Sequence, residues 1–265
     1  MMSWQAWSPP EGWPVGAPSV RWQGLPLGDA HEACLWLFDL DITHHAAGAD
    51  ITAFTACLSE EEQARAQRFR QALHGHRHRV ARAMVRHLLG HLSQQPAASL
   101  AWRTGPHGKP ALLDPMPERG AGHTLRFNLS HSGRWALLAT SFTMELGVDI
   151  EERASRAHLS EMVERILSVE ERGHLAATSS TTTHTDTLLK AWTRKEACLK
   201  ALGTGLIREM DTLTLDATHA RTANAHLGAL GPLPTLGWAD ITLPADCPAW
   251  AACAWLQPDQ TATSR

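Results

Sequence analysis

An α+β chain built from two similar halves is the fold class the sequence predicts, and three observations predict it. Short strand-like runs alternate with longer helical patterns. The order strand, capped helix, long helix, strand pair occurs twice. Matching features also lie at near-equal offsets: Asp39 to Asp149 is 110 residues, Asp41 to Glu151 is 110, Ser59 to Ser168 is 109 and Trp135 to Trp250 is 115. That period is too long for a solenoid and fits an internal duplication, two similar α+β halves packed face to face with a ligand cleft between them. The expected organisation is an irregular N-terminal arm over 1–30, an N-terminal half over 31–143, a C-terminal half over 144–256 and a tail over 257–265.

Taken in order, the Pro- and Gly-rich start reads as irregular, and Ala33 to Asp41 reads as a strand. Ser59-Glu60-Glu61-Glu62 is a capping-box pattern that opens a helix to about Gln71. Ala81, Met84, Val85, Leu88, Leu89 and Leu92 form the apolar stripe of the next helix, with Arg79, Arg82 and Arg86 largely off it. His74 to His78 reads as a solvated or phosphate-facing basic loop, and Gly105 to Pro110 as a turn. Leu125 to Ser130 and Trp135 to Thr140 read as strands joined by His131 to Arg134. Leu146 to Glu151 opens the second half as a strand, and Ser168 with Glu171 repeats the capping box. Thr178 to Thr187 reads as a polar loop, Leu188 to Leu202 as a helix ended by Gly203 and Gly205. Ile241 to Leu243 and Trp250 to Trp255 read as a closing strand pair.

Composition sets limits on function. The net charge is −3, but from Gln63 to Leu113 there is no Asp or Glu, while eight Arg, one Lys and six His fall in that stretch. Such a block suggests a phosphate-rich partner, either nucleic acid or a multiply phosphorylated small molecule. A nucleic-acid reader would interleave aromatics, and this stretch offers only Phe69 and Trp102. The five cysteines show no C-x-x-C spacing, which reads as reduced thiols in a cytoplasmic protein rather than a zinc site or disulfide framework. No charged n-region precedes an apolar segment, and no apolar run reaches a membrane span.

The chemistry-bearing residues sit in two segments. In Gly147-Val148-Asp149-Ile150-Glu151 the two carboxylates are two apart on a strand and project from the same face. Like charges so close resist burial, and a divalent cation with hard oxygen ligands relieves them. D-x-E at a strand edge is also, and more often, a solvated pair. Trp192-Thr193-Arg194-Lys195-Glu196-Ala197-Cys198-Leu199-Lys200 adds a third carboxylate flanked by lysines, with Lys200 one helical turn beyond Glu196. Taken alone, that spacing is also that of a surface ion pair. Asp39 and Asp41 mirror the first pair in the first half, so a second cation site there is conceivable.

Four segments together resemble the Sfp-type 4′-phosphopantetheinyl transferases: G-K-P at 108–110, F-N-L-S-H-S-G-R-W at 127–135, G-V-D-I-E at 147–151 and W-T-R-K-E-A-C-L-K at 192–200. The W-x-x-K-E form is similar to the broad-specificity branch that serves secondary metabolism. The resemblance implies the family's pseudo-twofold α+β fold. It also implies transfer of the phosphopantetheine arm of coenzyme A to a serine of an acyl or peptidyl carrier protein, releasing 3′,5′-ADP. Carrier domains of polyketide and non-ribosomal peptide synthesis are the implied acceptors. Mg²⁺ (or Mn²⁺) would be held by Asp149, Glu151 and Glu196; Glu196 would act as base and Lys200 would hold the pyrophosphate and protonate the leaving group. Coenzyme A would be contacted by Arg65, Arg77, Lys109, Pro110, Ser130, His131, Lys195 and Lys200. The carrier would dock near Met162 to Leu167. A monomer acting without nucleic acid or membrane is expected. The alternative is a non-catalytic coenzyme A- or carrier-binding module, which would be expected to lack one of Asp149, Glu151, Glu196 and Lys200; all four are present.

Overall fold

Alternation of apolar residues along each strand decides which layer each face covers. The structure of the protein is a computed structural model that describes residues 3–27, 32–41, 51–113, 124–153, 159–177, 181–204, 210–215 and 236–256. In chain order the elements are β1 (Gln5–Ala6), β2 (Val20–Pro26), β3 (Glu32–Asp39), α1 (Thr52–Thr55), α2 (Glu60–Gln67), α3 (Ala72–Ser93), β4 (Trp102–Thr104), β5 (Pro110–Leu112), β6 (Arg126–Ser132) and β7 (Trp135–Ser141). The chain continues with β8 (Leu146–Glu152), α4 (Val163–Ile166), α5 (Val169–Ala176), α6 (Thr181–Leu202), β9 (Leu236–Asp240) and β10 (Ala249–Leu256).

Two antiparallel sheets carry the fold, ordered β1-β2-β3-β7-β6 and β8-β10-β9. The duplication is explicit in that order. The first half's β3-β7-β6 corresponds to the second half's β8-β10-β9. α3 and α6 are each 22 residues long, and α2 and α5 are each 8. Leu35, Leu37, Leu137 and Ala139 meet Leu146, Val148, Ile150, Ala251 and Cys253 in a core between the sheets. Phe38, Leu40, Ala136 and Leu138 turn the other way, onto Val80, Met84, Val85 and Leu88 of α3. Ala252 and Ala254 likewise turn onto Ala197, Cys198 and Ala201 of α6. The layers therefore run helix, sheet, sheet, helix. Period-two alternation in β8 then requires Gly147, Asp149 and Glu151 to face α6.

Both halves share one internal brace. Ser59 and Ser168 cap α2 and α5 as full capping boxes, with Glu62 and Glu171 as the reciprocal partners. Each of these glutamates also meets a cation from the long helix of its half. Glu62 accepts from Arg86 Nε at 2.6 Å and from Arg82, and Glu171 accepts from Lys195 Nζ at 2.5 Å. Arg86 further donates to the carbonyls of Ala97 and Leu100, and Lys195 to those of Ile166 and Met210. Ser59 to Ser168, Glu62 to Glu171 and Arg86 to Lys195 are each 109 residues apart.

That offset corrects one expectation. A one-residue slip in register moves a strand residue to the opposite face. At 109 rather than 110 the counterpart of Asp149 is Leu40, which packs towards α3, whereas Asp39 points away from it. Asp39 is held by Arg134, and Asp41 takes both Nε and Nη2 of Arg77 at 2.6 and 2.5 Å. These carboxylates carry ion pairs, not a second cation site.

Five further expectations change. The arm is irregular only in part: β2 pairs along its length with β3, and Trp7 and Trp13 pack on the first core. Its pairing satisfies the otherwise open edge of β3. His74 to Arg79 lies inside α3, because Gly75 lets that helix approach the Ala66 carbonyl without a Cβ in the way. Thr181 to Thr187 is the start of α6, since burial of Leu188, Leu189 and Trp192 against Ile166 and Leu167 outweighs the weak helix preference of a Thr-rich run. β6 runs on through His131 to Ser132, so only Gly133 and Arg134 make the turn, and the last strand pair uses Leu236–Asp240 ahead of Ile241. The expectations for 28–31, 178–180, Gly205 and 257–265 lie outside the described residues.

Candidate active site at the seam between the halves

The edges β6 and β8 meet without pairing main chain to main chain. Asn128, Ser130 and Ser132 alternate on one face of β6, and their oxygens accept from successive outward N–H groups of β8. Asn128 Oδ1 takes Val148 N at 2.9 Å, Ser130 Oγ takes Ile150 N at 3.4 Å and Ser132 Oγ takes Glu152 N at 3.1 Å. A ladder of side chains thus satisfies an edge that would otherwise be buried unpaired. The same serines donate across the seam to the carboxylates: Ser130 Oγ to Asp149 Oδ1 and Ser132 Oγ to Glu151 Oε2, both at 2.7 Å.

α6 closes the site from the other side. Gly147 lets it come close, because a Cβ there would stand 2.2 Å from the Ala197 carbonyl oxygen and 2.3 Å from Ala201 N. With the helix this near, Lys200 Nζ donates to Asp149 Oδ1 at 2.7 Å and to Ser130 Oγ at 3.1 Å, while Trp192 Nε1 donates to Glu151 Oε1 at 3.2 Å. Glu196 and Lys200 line a cavity of about 240 Å³ with Lys109, Pro110, Asn128 and Leu129. Asp149 Oδ2 is buried and, among the described residues, has no hydrogen-bond donor. Burial, and then the neighbouring Glu151, raise the Asp149 pKa, against the opposing pull of Lys200 and Ser130.

The expected contacts fall into three groups. Lys109, Pro110, Glu196 and Lys200 surround the cavity, and Ser130, Asp149 and Glu151 stand behind it. His131, near the end of β6, keeps part of its surface open to solvent while protein packs against the rest. Its pKa is lowered by the protein packed round it and next by the Lys200 ammonium. Lys109 Nζ is occupied by Glu145 and by the carbonyls of Leu146 and Ala201, so it ties the first half to both β8 and α6 and offers the cavity mainly its stem. Arg77 is bound to Asp41, and Arg65 is exposed on α2. Their charges still reach inward: Arg65 acts on His78, and Arg77 on His131.

Lys195 is a correction. It is 0 % exposed and is consumed by Glu171 and two carbonyls, so it cannot reach a phosphate in the cavity. Adjacent helix positions point about 100° apart, which sends Lys195 into the brace and Glu196 to the cavity. Ile166 and Leu167, expected on a docking surface, are buried under Leu188 and Trp192. Sequence reasoning missed the bracing of Ser132 and Trp192 and the demand for Gly147. Their signal was the period-two polar stripe in β6 and the glycine facing a helix.

The 109-residue offset carries over to the cavity wall. Glu196, Leu199, Lys200 and Gly203 of the second half correspond to His87, Gly90, His91 and Gln94 of the first, which line an open depression beneath Trp13. There His87 Nε2 contacts the Phe54 carbonyl and the Cys57 thiol, and both imidazoles meet tryptophans of the arm.

Among the described residues no three or more His, Cys, Asp and Glu side chains already converge as a metal site, and Lys200 is the cation seated on Asp149. The donor set is nonetheless one of hard oxygens, and the open lone pairs of Asp149 Oδ2 fit a Mg²⁺-like ion.

The duplicated α+β scaffold thus presents, at its seam, a cavity that brings the Glu196 carboxylate and the Lys200 ammonium together. The model of the 4′-phosphopantetheinyl transferase superfamily matches residues 145–239, and that of the 4′-phosphopantetheinyl transferase N-terminal region matches 44–143. The 4′-phosphopantetheinyl transferase HetI of a Nostoc species is 32% identical over 178 residues, 67% of this chain and 71% of its own. AcpT of Escherichia coli is 33% identical over 155 residues, 55% and 70% respectively, and Sfp of Bacillus subtilis is 28% identical over 162 residues, 61% and 67%. The chain belongs to the 4′-phosphopantetheinyl transferases, enzymes that transfer phosphopantetheine to carrier proteins.

Proposed function

We propose that this protein transfers the phosphopantetheine arm of coenzyme A to a serine of an acyl or peptidyl carrier domain, using Glu196 as base and Lys200 as acid. The observation that carries the reading is the approach of Glu196 and Lys200, one helical turn apart, to one cavity beside Asp149. The carrier serine oxygen forms a bond to the β-phosphorus as the bond to the bridging pyrophosphate oxygen breaks. The serine proton passes to Glu196, and the departing 3′,5′-ADP takes the electron pair and a proton from Lys200. His131 and Ser130 would steady the phosphates, with Arg65 and the basic α2–α3 face towards the 3′-phosphate. Asp149, Glu151 and Glu196 would hold Mg²⁺, which when bound neutralises charge on the phosphates. Lys200, already 2.7 Å from Asp149, would move from that carboxylate to the pyrophosphate.

Secondary-metabolism carriers, a cytoplasmic location and a monomer complete the reading. It is supported by the broad-specificity form of the W-x-x-K-E segment and by an internal duplication that supplies both halves of the site in one chain. Among the described residues no helix is long and apolar enough to cross a membrane. The test is intact-mass measurement of an apo carrier domain incubated with the protein, coenzyme A and Mg²⁺. A gain of one phosphopantetheine arm is expected, and Glu196→Ala should lower its rate by at least about a hundredfold. No gain on any of several carriers, with coenzyme A binding intact, would leave a binding module instead.

A further inference from the structure

The two carboxylates of β8 are dressed differently. Asp149 keeps one oxygen, Oδ2, buried without a donor among the described residues. Glu151, 6 % exposed, has a donor on each oxygen: Ser132 Oγ on Oε2 at 2.7 Å and Trp192 Nε1 on Oε1 at 3.2 Å. Both donors are themselves buried, and neither is free to point elsewhere. Ser132 Oγ accepts the Glu152 N–H, which commits one lone pair and leaves its own hydrogen for the carboxylate. An indole N–H is a donor only. The donors also come from opposite halves, Ser132 from β6 and Trp192 from α6, so the plane of the Glu151 carboxylate is fixed by the docking of one half on the other.

We propose that Ser132 and Trp192 are positioning residues that hold the Glu151 carboxylate in one orientation for the bound cation. This rests on the reading above, that Glu151 is a cation ligand. Carboxylates ligating a metal are oriented by such outer hydrogen bonds, and loss of one typically costs about 10- to 100-fold in metal affinity. Glu151 is committed to an orientation before the cation arrives, and Asp149 supplies the open lone pairs. Ser132 acts on the cation only through Glu151, which separates its role from the phosphate contacts expected of Ser130 and His131.

The experiment is calorimetric titration of Mn²⁺ into the full-length protein saturated with coenzyme A, comparing the parent with Ser132→Ala, Trp192→Phe and Ser132→Thr. Melting midpoints and metal-free coenzyme A affinity are measured alongside. Mn²⁺ affinity should fall about tenfold or more in Ser132→Ala and in Trp192→Phe. Metal-free coenzyme A affinity should stay within about twofold, and Ser132→Thr, which keeps a hydroxyl, should recover most of the loss. Unchanged Mn²⁺ affinity with a lowered melting midpoint would overturn the proposal and leave both residues as packing. If Trp192→Phe does not fold, Ser132→Ala against Ser132→Thr decides alone. A parent that transfers phosphopantetheine yet binds no Mn²⁺ would instead remove the cation assignment beneath it, a failure distinct from normal binding in parent and variants alike.

Discussion

Gly147 is a position where no side chain fits. An added methyl would sit within 2.3 Å of two main-chain atoms of α6, and main chain in the middle of a packed helix cannot step aside as a flexible side chain can. Gly147→Ala should therefore cost about 3 kcal/mol of stability by overpacking and shift α6 outward. Because Glu196 and Lys200 ride on that helix, transfer by the surviving folded fraction should fall at least tenfold. Chemical denaturation and single-turnover transfer on the same preparation would check both, and wild-type values in either would show that α6 tolerates the displacement. At this scale the sequence was informative about charge and silent about closeness. Asp149, Glu151, Glu196 and Lys200 are conspicuous because ionisable groups on strand and helix faces need a reason. A glycine before a D-x-E pair and a serine two places past another serine look ordinary until the partner element is in place.

The braces show why an element's pattern can mislead about one of its members. Arg86 and Lys195 stand at equivalent points of α3 and α6 and close equivalent capping boxes. Lys195 shares its segment with Glu196 and Lys200, and its charge alone suggested a phosphate contact. Its pKa is lowered by burial against the opposing pull of Glu171, as suits a cation inside the fold. Removing one partner of such a pair strands the other, so Lys195→Met should cost about 3 kcal/mol. Per folded molecule it should leave transfer within a few-fold of the parent. Lys200→Met, which strands the buried Asp149 carboxylate, should also lower the melting midpoint, but unlike Lys195→Met it should lower turnover per folded molecule. A stable but slow Lys195→Met would return that lysine to the phosphates. Of the elements, the strands β3, β6, β7 and β8, both capping boxes and the long apolar stripe of α3 were legible, since each is written in local periodicity. The pairing of β2 with β3 and the Thr-rich first turns of α6 were not, because burial against distant residues decides them.

For the whole molecule, acid should loosen the fold well before its carboxylates are neutralised. His78 is pushed down from 6.5 to about 4, chiefly by burial and then by Arg65 and Arg82, and burial also lowers His87 and His131. A histidine whose folded pKa is depressed binds its proton more readily when unfolded. Its contribution is complete above 6.5 and is lost as pH falls towards the folded value. The melting midpoint should therefore decline between pH 6.5 and about 4, and His78→Phe should flatten that decline. A pH-independent midpoint across the window, or an unaltered slope in the variant, would refute the assignment. Asp149, whose pKa is raised by burial, works in the opposite sense, so the difference between parent and variant is the quantity to read. The duplication has a consequence for mutational tolerance. A scaffold present twice but used chemically once leaves one copy of each position released from the reaction. His87 and His91 occupy the places of Glu196 and Lys200, where His87 meets Trp13, Phe54 and Cys57 and His91 meets Trp7. Saturation mutagenesis read out by carrier modification should find these two open to other aromatic and apolar side chains, while the equivalent positions on α6 accept almost nothing else. The depression beneath the N-terminal arm is thus where the duplicated scaffold should tolerate change, freed from the demands of the reaction.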